Sequence, residues 1–204
     1  QTFDSSDDVA VERGFGHHEA ECSHRRHDRV DPAGRLVTEA DVAEVSRAIG
    51  LDSRLGSKFL NASVGFGGSC FKKDILNLAY ICRTYGLDAV ADYWESVVDI
   101  NEYQKERFIL GILNAMFNTL AGKRVCLFGF AFKADTGDTR ETPAFTIARR
   151  LVEEKADLII TDPKALPNAK IDLAGLQGIT YEPEPYKATR GCDAIACASC
   201  SERA

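Results

Sequence analysis

Apolar positions along this chain change period several times, and the changes mark out its elements. Residues 1 to about 36 are rich in Asp, Glu, His and Arg with almost no periodic apolar pattern, which predicts a disordered segment. At Thr38 the character changes. Thr38-Glu39-Ala40-Asp41 has the composition of a helix cap, and Val42, Val45, Ala48 and Ile49 give that helix an apolar face ending at Gly50. A second helix is predicted after Cys70, where Ile75, Leu78, Ala79 and Cys82 recur at helical spacing up to Gly86. Ala89 then opens a run through Val90, Tyr93, Trp94, Val97, Val98, Asn101, Phe108, Ile112, Ala115 and Met116, long enough to predict one extended helix joining two parts of the molecule.

Past Gly122-Lys123 the helical period gives way to short continuous apolar runs. Arg124 to Gly129 and Asp157 to Pro163 have the character of buried parallel strands, and Thr142-Pro143 opens a helix between them through Phe145, Ile147, Ala148, Leu151 and Val152. This is a βαβ unit. Ile179 to Tyr181 and Asp193 to Ala196 are further strand candidates, with a short helical turn from Tyr186 to Thr189. The fold class expected is α/β: a central all-helical domain with a long connecting helix, followed by an incomplete Rossmann-like parallel sheet. The domain boundaries expected are 1–36 without family character, 37–119 helical and 120–204 Rossmann-like. The turn Gly129-Phe130-Ala131-Phe132-Lys133 is not a G-x-G-x-x-G fingerprint, since Phe130 stands where a pyrophosphate needs bare backbone. Asp162-Pro163 reads as a strand-ending turn rather than a ribose-reading acid.

Composition narrows the function. The 204 residues carry 25 Lys and Arg against 31 Asp and Glu, and a formal charge of −6 argues against nucleic-acid binding by bulk electrostatics. No apolar run approaches the ~20 residues that span a bilayer, and no signal-peptide pattern opens the chain, so a cytoplasmic protein without a membrane partner is expected. Seven cysteines at irregular spacing fit reduced thiols better than a disulfide framework. Cys82 and Cys126 sit in apolar segments and read as core. Cys192 with Cys197-x-x-Cys200, and Cys22 among four histidines, are weak metal signals lacking a second ligand pair, so no metal is expected.

The densest chemistry lies in Gly65-Phe66-Gly67-Gly68-Ser69-Cys70-Phe71-Lys72-Lys73-Asp74, a glycine-rich turn that delivers one cysteine to the start of a helix. The unpaired N–H groups there favour the thiolate, which is the nucleophilic form, and Lys72 and Lys73 add positive charge. Glycines allow a ligand to approach the backbone closely. Asp74, four residues on, shares the helix face of Cys70; it either handles water and a proton or is a solvated first-turn acid. His17, His18, His24 and His27 are all remote in sequence, so a cysteine–histidine protease pair is poorly supported.

Phe59 to Asp74, preceded by Arg54-Leu55-Gly56, and Gly129 to Glu141 (GFAFKADTGDTRE) resemble, in order, the two signatures of the UDP-glucose/GDP-mannose dehydrogenase family, and within it the UDP-glucose 6-dehydrogenases. The resemblance covers about residues 40 to 196. It implies NAD as cofactor, UDP-glucose as substrate, a homo-oligomer built on the central helical domain, and oxidation of the sugar C6 alcohol to the acid through a thiohemiacetal and a thioester on Cys70. Cys70 and Asp74 would be catalytic. Arg54, Phe59, Leu60, Asn61, Ser63, Gly65, Phe66, Gly67, Phe132 and Lys133 would bind substrate, with Lys133 on the diphosphate, Phe132 near uracil and Arg54 reaching a neighbouring subunit. Cys70, Phe71, Lys72, Lys73 and Arg140 would face the cofactor. Asn61 replaces the lysine of the animal-type pattern, and residues 197–204 depart from the family. Residues 1–36 hold no counterpart of the family's N-terminal NAD lobe, so the resemblance implies little turnover by this chain alone. The alternatives it leaves are a dehydrogenase of another nucleotide sugar, or a non-catalytic module that binds one or assembles through its long helix.

Overall fold

A computed structural model describes residues 9–10, 42–58, 60 and 62–199. Thr38 to Asp41, Phe59, Asn61 and Cys200 lie outside the described residues. The described residues fall into two compact units, those from 42 to 62 in one and those from 9 to 10 and 63 to 199 in the other.

In the first unit, helix α1 spans Val42–Gly50. Its apolar positions Val45 and Ile49 are exposed, and Ser46 Oγ donates to the Leu60 carbonyl at 2.7 Å. The turn after it folds on itself: the Arg54 guanidinium meets the Asp52 carboxylate at 2.6 Å, with the Arg54 side chain 86% exposed.

The second unit begins with a short strand β1, Val9–Ala10, in the segment expected to lack order. Helices α2 (Phe71–Thr84) and α3 (Asp88–Ala115) form an antiparallel hairpin. Gly86 at φ +72° supplies the left-handed residue the tight turn needs. Small buried side chains, Ala79, Cys82 and Ala91, let the helices approach closely. Arg83 fastens their ends, meeting Asp92 at 2.8 Å and Glu95 at 2.6 Å. The hydrogen bonds that Arg83 donates to Glu95 and Asp92 hold its proton even more firmly than usual. With 28 residues, α3 is about 42 Å long.

The sheet contains β2 (Arg124–Phe128), β3 (Asp157–Thr161), β4 (Ile179–Tyr181) and β5 (Ala194–Cys197), with helices α4 (Pro143–Glu153), α5 (Leu166–Asp172) and α6 (Pro185–Ala188). Its order is β1-β5-β2-β3-β4. β2, β3, β4 and β5 are mutually parallel, and β1 pairs antiparallel with β5 through Val9–Ala196 and Ala10–Ile195. The β5–β2 boundary is the point where strand order reverses, as in Rossmann-like sheets.

The core is built where the C-terminal half of α3 meets this sheet. Phe108, Ile109, Ile112 and Met116 pack with Val125, Leu127, Leu158, Ile160 and the α4 residues Ile147 and Leu151. Each such fully buried aliphatic side chain contributes about 1.5–3 kcal/mol. Cys126 and Ile159 face the other side, against Ala188 of α6. Thr142 caps α4 through its hydroxyl, which accepts from Ala144 N, and Pro143 follows at the first helical position. α5 is a helix the sequence pattern did not predict. Among the described residues, no helix is long and apolar enough to cross a membrane.

Candidate functional site

Two segments about sixty residues apart in sequence meet in the second unit. The first runs from Ser63 to Cys70. Val64, 1% exposed, anchors its start in the main core. Gly65 adopts φ +137°, and Phe66 is then held at both backbone atoms by the buried side chain of Asn101: Phe66 N donates to Asn101 Oδ1 at 2.7 Å, and Asn101 Nδ2 donates to Phe66 O at 3.1 Å. Gln104 Nε2 donates to Ser63 O at 3.1 Å. Cys70 is the N-cap residue of α2, and the Asp74 amide donates to its carbonyl at 2.8 Å, closing the first turn.

The second segment is the long turn between β2 and α4. Phe132 N donates to Asp138 O at 3.1 Å, and Gly68 N donates to Arg140 O at 2.9 Å. A Cβ on Gly67 would stand 2.6 Å from Glu141 O, and one on Gly68 would stand 2.9 Å from the Phe132 ring. Lys72 Nζ meets Glu141 Oε2 at 3.0 Å. The glycines are therefore needed for the two segments to touch, because no side chain fits between them.

Cys70 is exposed, and Ser69 Oγ lies 3.7 Å from its sulfur. Phe66 and Phe71 pack edge to face with centroids 4.7 Å apart beside it. Asp74 and Lys73 are exposed on the first turn of α2. Arg140 bonds Asp138, Nε to Oδ1 at 2.9 Å. That bond brings the Asp138 carboxyl down to about 2. The same bond raises Arg140, with the Cys70 sulfur adding a smaller attraction. Lys133 is exposed, its ammonium 5.3 Å from the Phe132 ring centroid.

Of the residues expected from sequence, Ser63, Gly65, Phe66, Gly67, Cys70, Phe71, Lys72, Lys73, Asp74, Phe132, Lys133 and Arg140 belong to this second unit. Arg54 and Leu60 belong to the first unit, and Phe59 and Asn61 lie outside the described residues. Several of these residues also make contacts within the protein. The Phe132 ring covers Gly68. Lys72 and Arg140 are each engaged with a carboxylate. Asn101, Glu141 and Lys105, the last 5% exposed with its ammonium 2.9 Å from Glu102, carry contacts that the sequence did not assign. Glu141 ends the second signature, so its place was visible without its partner.

The β2–α4 turn does not fit a dinucleotide pyrophosphate. The backbone N–H groups of Phe130 and Ala131 both donate to Asp162 Oδ2, at 2.7 and 3.1 Å. Asp162 Oδ1 takes two more, from Lys164 N at 2.8 Å and Ala165 N at 2.6 Å. Phe130 is itself fully buried. The strand-ending aspartate is thus a four-point backbone clamp, occupying the donors that a phosphate needs. Among the described residues, no group of three or more His, Cys, Asp or Glu is gathered to hold a metal.

Comparison with known proteins agrees with this architecture. Residues 36–103 match the central domain of the UDP-glucose/GDP-mannose dehydrogenase family, and residues 126–203 match that family's UDP binding domain. The chain is 54% identical over 170 residues to UDP-glucose 6-dehydrogenase of Drosophila melanogaster, covering 78% of this chain and 36% of that protein. It is 61% identical over 128 residues to UDP-glucose 6-dehydrogenase 1 of Oryza sativa subsp. japonica, covering 63% of this chain and 27% of the relative. A UDP-glucose dehydrogenase structure from the hyperthermophilic archaeon Pyrobaculum islandicum superposes with a TM-score of 0.67 at 32% identity, over 76% of this chain and 35% of that one. The chain thus spans 27 to 36% of the length of these relatives. With both domain matches in the expected order and the two signatures in contact around one exposed cysteine, the chain belongs to the UDP-glucose/GDP-mannose dehydrogenase family.

Proposed function

We propose that this chain supplies the nucleophilic cysteine and the nucleotide-sugar half of an NAD-dependent UDP-glucose 6-dehydrogenase, which oxidises UDP-glucose to UDP-glucuronate. The observation that carries the reading is the junction of the two signatures: Gly68 N on Arg140 O at 2.9 Å and Lys72 on Glu141 at 3.0 Å, with Cys70 exposed between them. NAD, when bound, accepts hydride from the sugar C6. The β2–α4 turn offers no room for its pyrophosphate, so Arg140 and residues 71–73 are assigned only an edge of the cofactor.

Cys70 acts on the aldehyde level of the substrate. Its sulfur adds to the C6 carbonyl carbon, and the carbonyl oxygen takes a proton to give a thiohemiacetal. Loss of hydride from C6 and a proton from the hydroxyl yields a thioester. Water then adds at that carbonyl and the thiolate leaves, so the acid departs and the cysteine is regenerated. Asp74 is the proposed acceptor of the proton from that water. Lys133 is assigned to the diphosphate and Phe132 and Phe66 to the apolar wall of the site, and by the family resemblance Arg54 serves the substrate of a neighbouring subunit. The domain assignment 37–119 and 120–204 is supported by the family matches at 36–103 and 126–203. Free thiols at the described cysteines suit a cytoplasmic setting.

The test uses the 6-aldehyde of UDP-glucose, which needs no oxidation to react. Carbon-13 NMR with the aldehyde carbon labelled should show one thiohemiacetal carbon per chain, distinct from the free hydrate, and Cys70→Ser should lack it. No such signal, or one that persists in Cys70→Ser, would contradict the proposal.

We infer in addition that the helical hairpin pairs with a second copy of the chain. Tyr80, Ile81, Tyr93, Ile100 and Tyr103 are all more than 40% exposed on α2 and α3, large apolar side chains of the kind an interface covers. Sedimentation velocity should give a dimer or larger species, reduced by Tyr103→Glu; a monomer at all concentrations would count against it.

A further inference from the structure

We propose that Asn101 is a positioning residue for the Cys70 thiol, acting through the backbone of the glycine-rich turn while touching neither substrate nor sulfur. The proposal rests on Cys70 being the nucleophile, and its test is independent of nucleotide-sugar binding.

Asn101 sits in the middle of α3, on the side the 3.6-residue period assigns to the interior, and is 5% exposed. Asparagine is a poor choice for a buried helical position, because its amide must be desolvated and its helix propensity is low. Here both polar atoms are satisfied by one residue. The amide accepts from Phe66 N at 2.7 Å and donates to Phe66 O at 3.1 Å, the two-point pairing that a neighbouring β-strand would otherwise give. The turn and the helix interlock at this place: a Cβ on Gly65 would stand 2.8 Å from Asn101 Oδ1 and 3.5 Å from Lys105 Cγ. Gln104 adds a bond to Ser63 O at 3.1 Å, so positions 101, 104 and 105, which share one helix face, all bear on residues 63–66.

From Phe66 the constraint passes to the cysteine by two short routes. Its ring meets Phe71, the first residue of α2, at 4.7 Å between centroids. Its chain continues to Gly68, whose amide is fixed to Arg140. α3 itself is immobilised by Phe108, Ile109 and Ile112 in the main core. The helix therefore acts as a ruler running from the core to the turn that delivers Cys70. Removing the amide strands the N–H and C=O of Phe66 without partners. The packing of α2 on α3 through Ala79, Cys82 and Ala91 is left in place.

The test compares alkylation of individual cysteines by iodoacetamide, resolved by peptide mass spectrometry, in the wild-type chain, Asn101→Ala and Asn101→Asp. Buried Cys82 and Cys126 serve as internal reporters of general opening. The expected result is Cys70 alkylation slowed about fivefold or more in Asn101→Ala, with Cys82 and Cys126 unchanged and with partial recovery in Asn101→Asp, which keeps the acceptor for Phe66 N–H. A Cys70 rate within about twofold of wild type, no recovery in Asn101→Asp, or parallel changes at all three cysteines would overturn the proposal. Should Asn101→Ala fail to fold, hydrogen exchange on the wild-type chain decides. Protection of the Phe66 amide comparable to that of the α3 interior supports the clamp, and exchange at the rate of an unstructured peptide refutes it.

Discussion

The backbone amide of Gly68 donates to the carbonyl of Arg140 at 2.9 Å, and this bond joins the turn that carries Cys70 to the turn that follows β2, alongside the Lys72–Glu141 ion pair. Neither Gly68 nor Arg140 uses its side chain in that bond. The junction depends on close backbone approach, which makes the glycines its most sensitive points.

Gly67→Ala tests that sensitivity. A methyl there would stand 2.6 Å from Glu141 O and 2.9 Å from Phe132 Cβ, and both neighbours are fixed by packing or hydrogen bonds. The expected outcome is a stability loss of about 1–3 kcal/mol in urea unfolding, with the α2–α3 hairpin intact by circular dichroism. A variant as stable as wild type would mean the turns are not in contact in solution.

Asp162→Asn targets the clamp beneath the site. The carboxylate accepts four backbone N–H bonds, two from Phe130 and Ala131 and two from Lys164 and Ala165. An asparagine has one accepting oxygen, and its NH2 group would face two donors, so a loss of about 2–4 kcal/mol is expected. Urea midpoints of Asp162→Asn and Asp162→Ala should be lowered alike. A neutral Asp162→Asn would show that the clamp is not formed.

Cys126 predicts an alkaline limit to stability. Burial pushes its thiol up from 9.0 to about 12, with the adjacent Cys192 sulfur adding to the rise. Between those values the unfolded chain releases this proton while the folded chain keeps it. Stability is therefore fully present below the lower value and falls as pH climbs through the window, by at most about 1.4 kcal/mol per pH unit from this group. Urea unfolding of wild type and Cys126→Ala from about pH 8 to about pH 11 should show the shallower decline in the variant. Identical slopes would contradict the assignment.

Much of the architecture was legible because its elements keep one period each. The strands β2, β3 and β5 and the helix α4 stand out as short apolar runs bounded by Gly, Pro and Asp, and α3 declares itself by the length of its repeat. α5 was hidden because Pro163 and Pro167 interrupt the pattern; Pro167 lies within the first turn of the helix, where proline is tolerated. The two signatures were readable as motifs, and their contact was not, since it runs through backbone atoms of Gly68 and Arg140. Asn101 and Lys105 fall at helical spacing among core positions. Periodicity gives them the same reading as an apolar residue, and only the neighbouring Phe66 and Glu102 reveal what their polar atoms do. Asp162 is legible in sequence as ending a strand, but its four donors come from two loops that become adjacent only when β2 and β3 pair.

The Cys70 turn and the β2–α4 turn are proposed to form a single nucleotide-sugar site. Backbone amide NMR during titration with UDP-glucose measures this most directly. Resonances from 66–73 and from 132–141 should shift together along one saturation curve, with GDP-mannose weaker. Shifts confined to one of the two segments, or none in either at saturating nucleotide sugar, would contradict it.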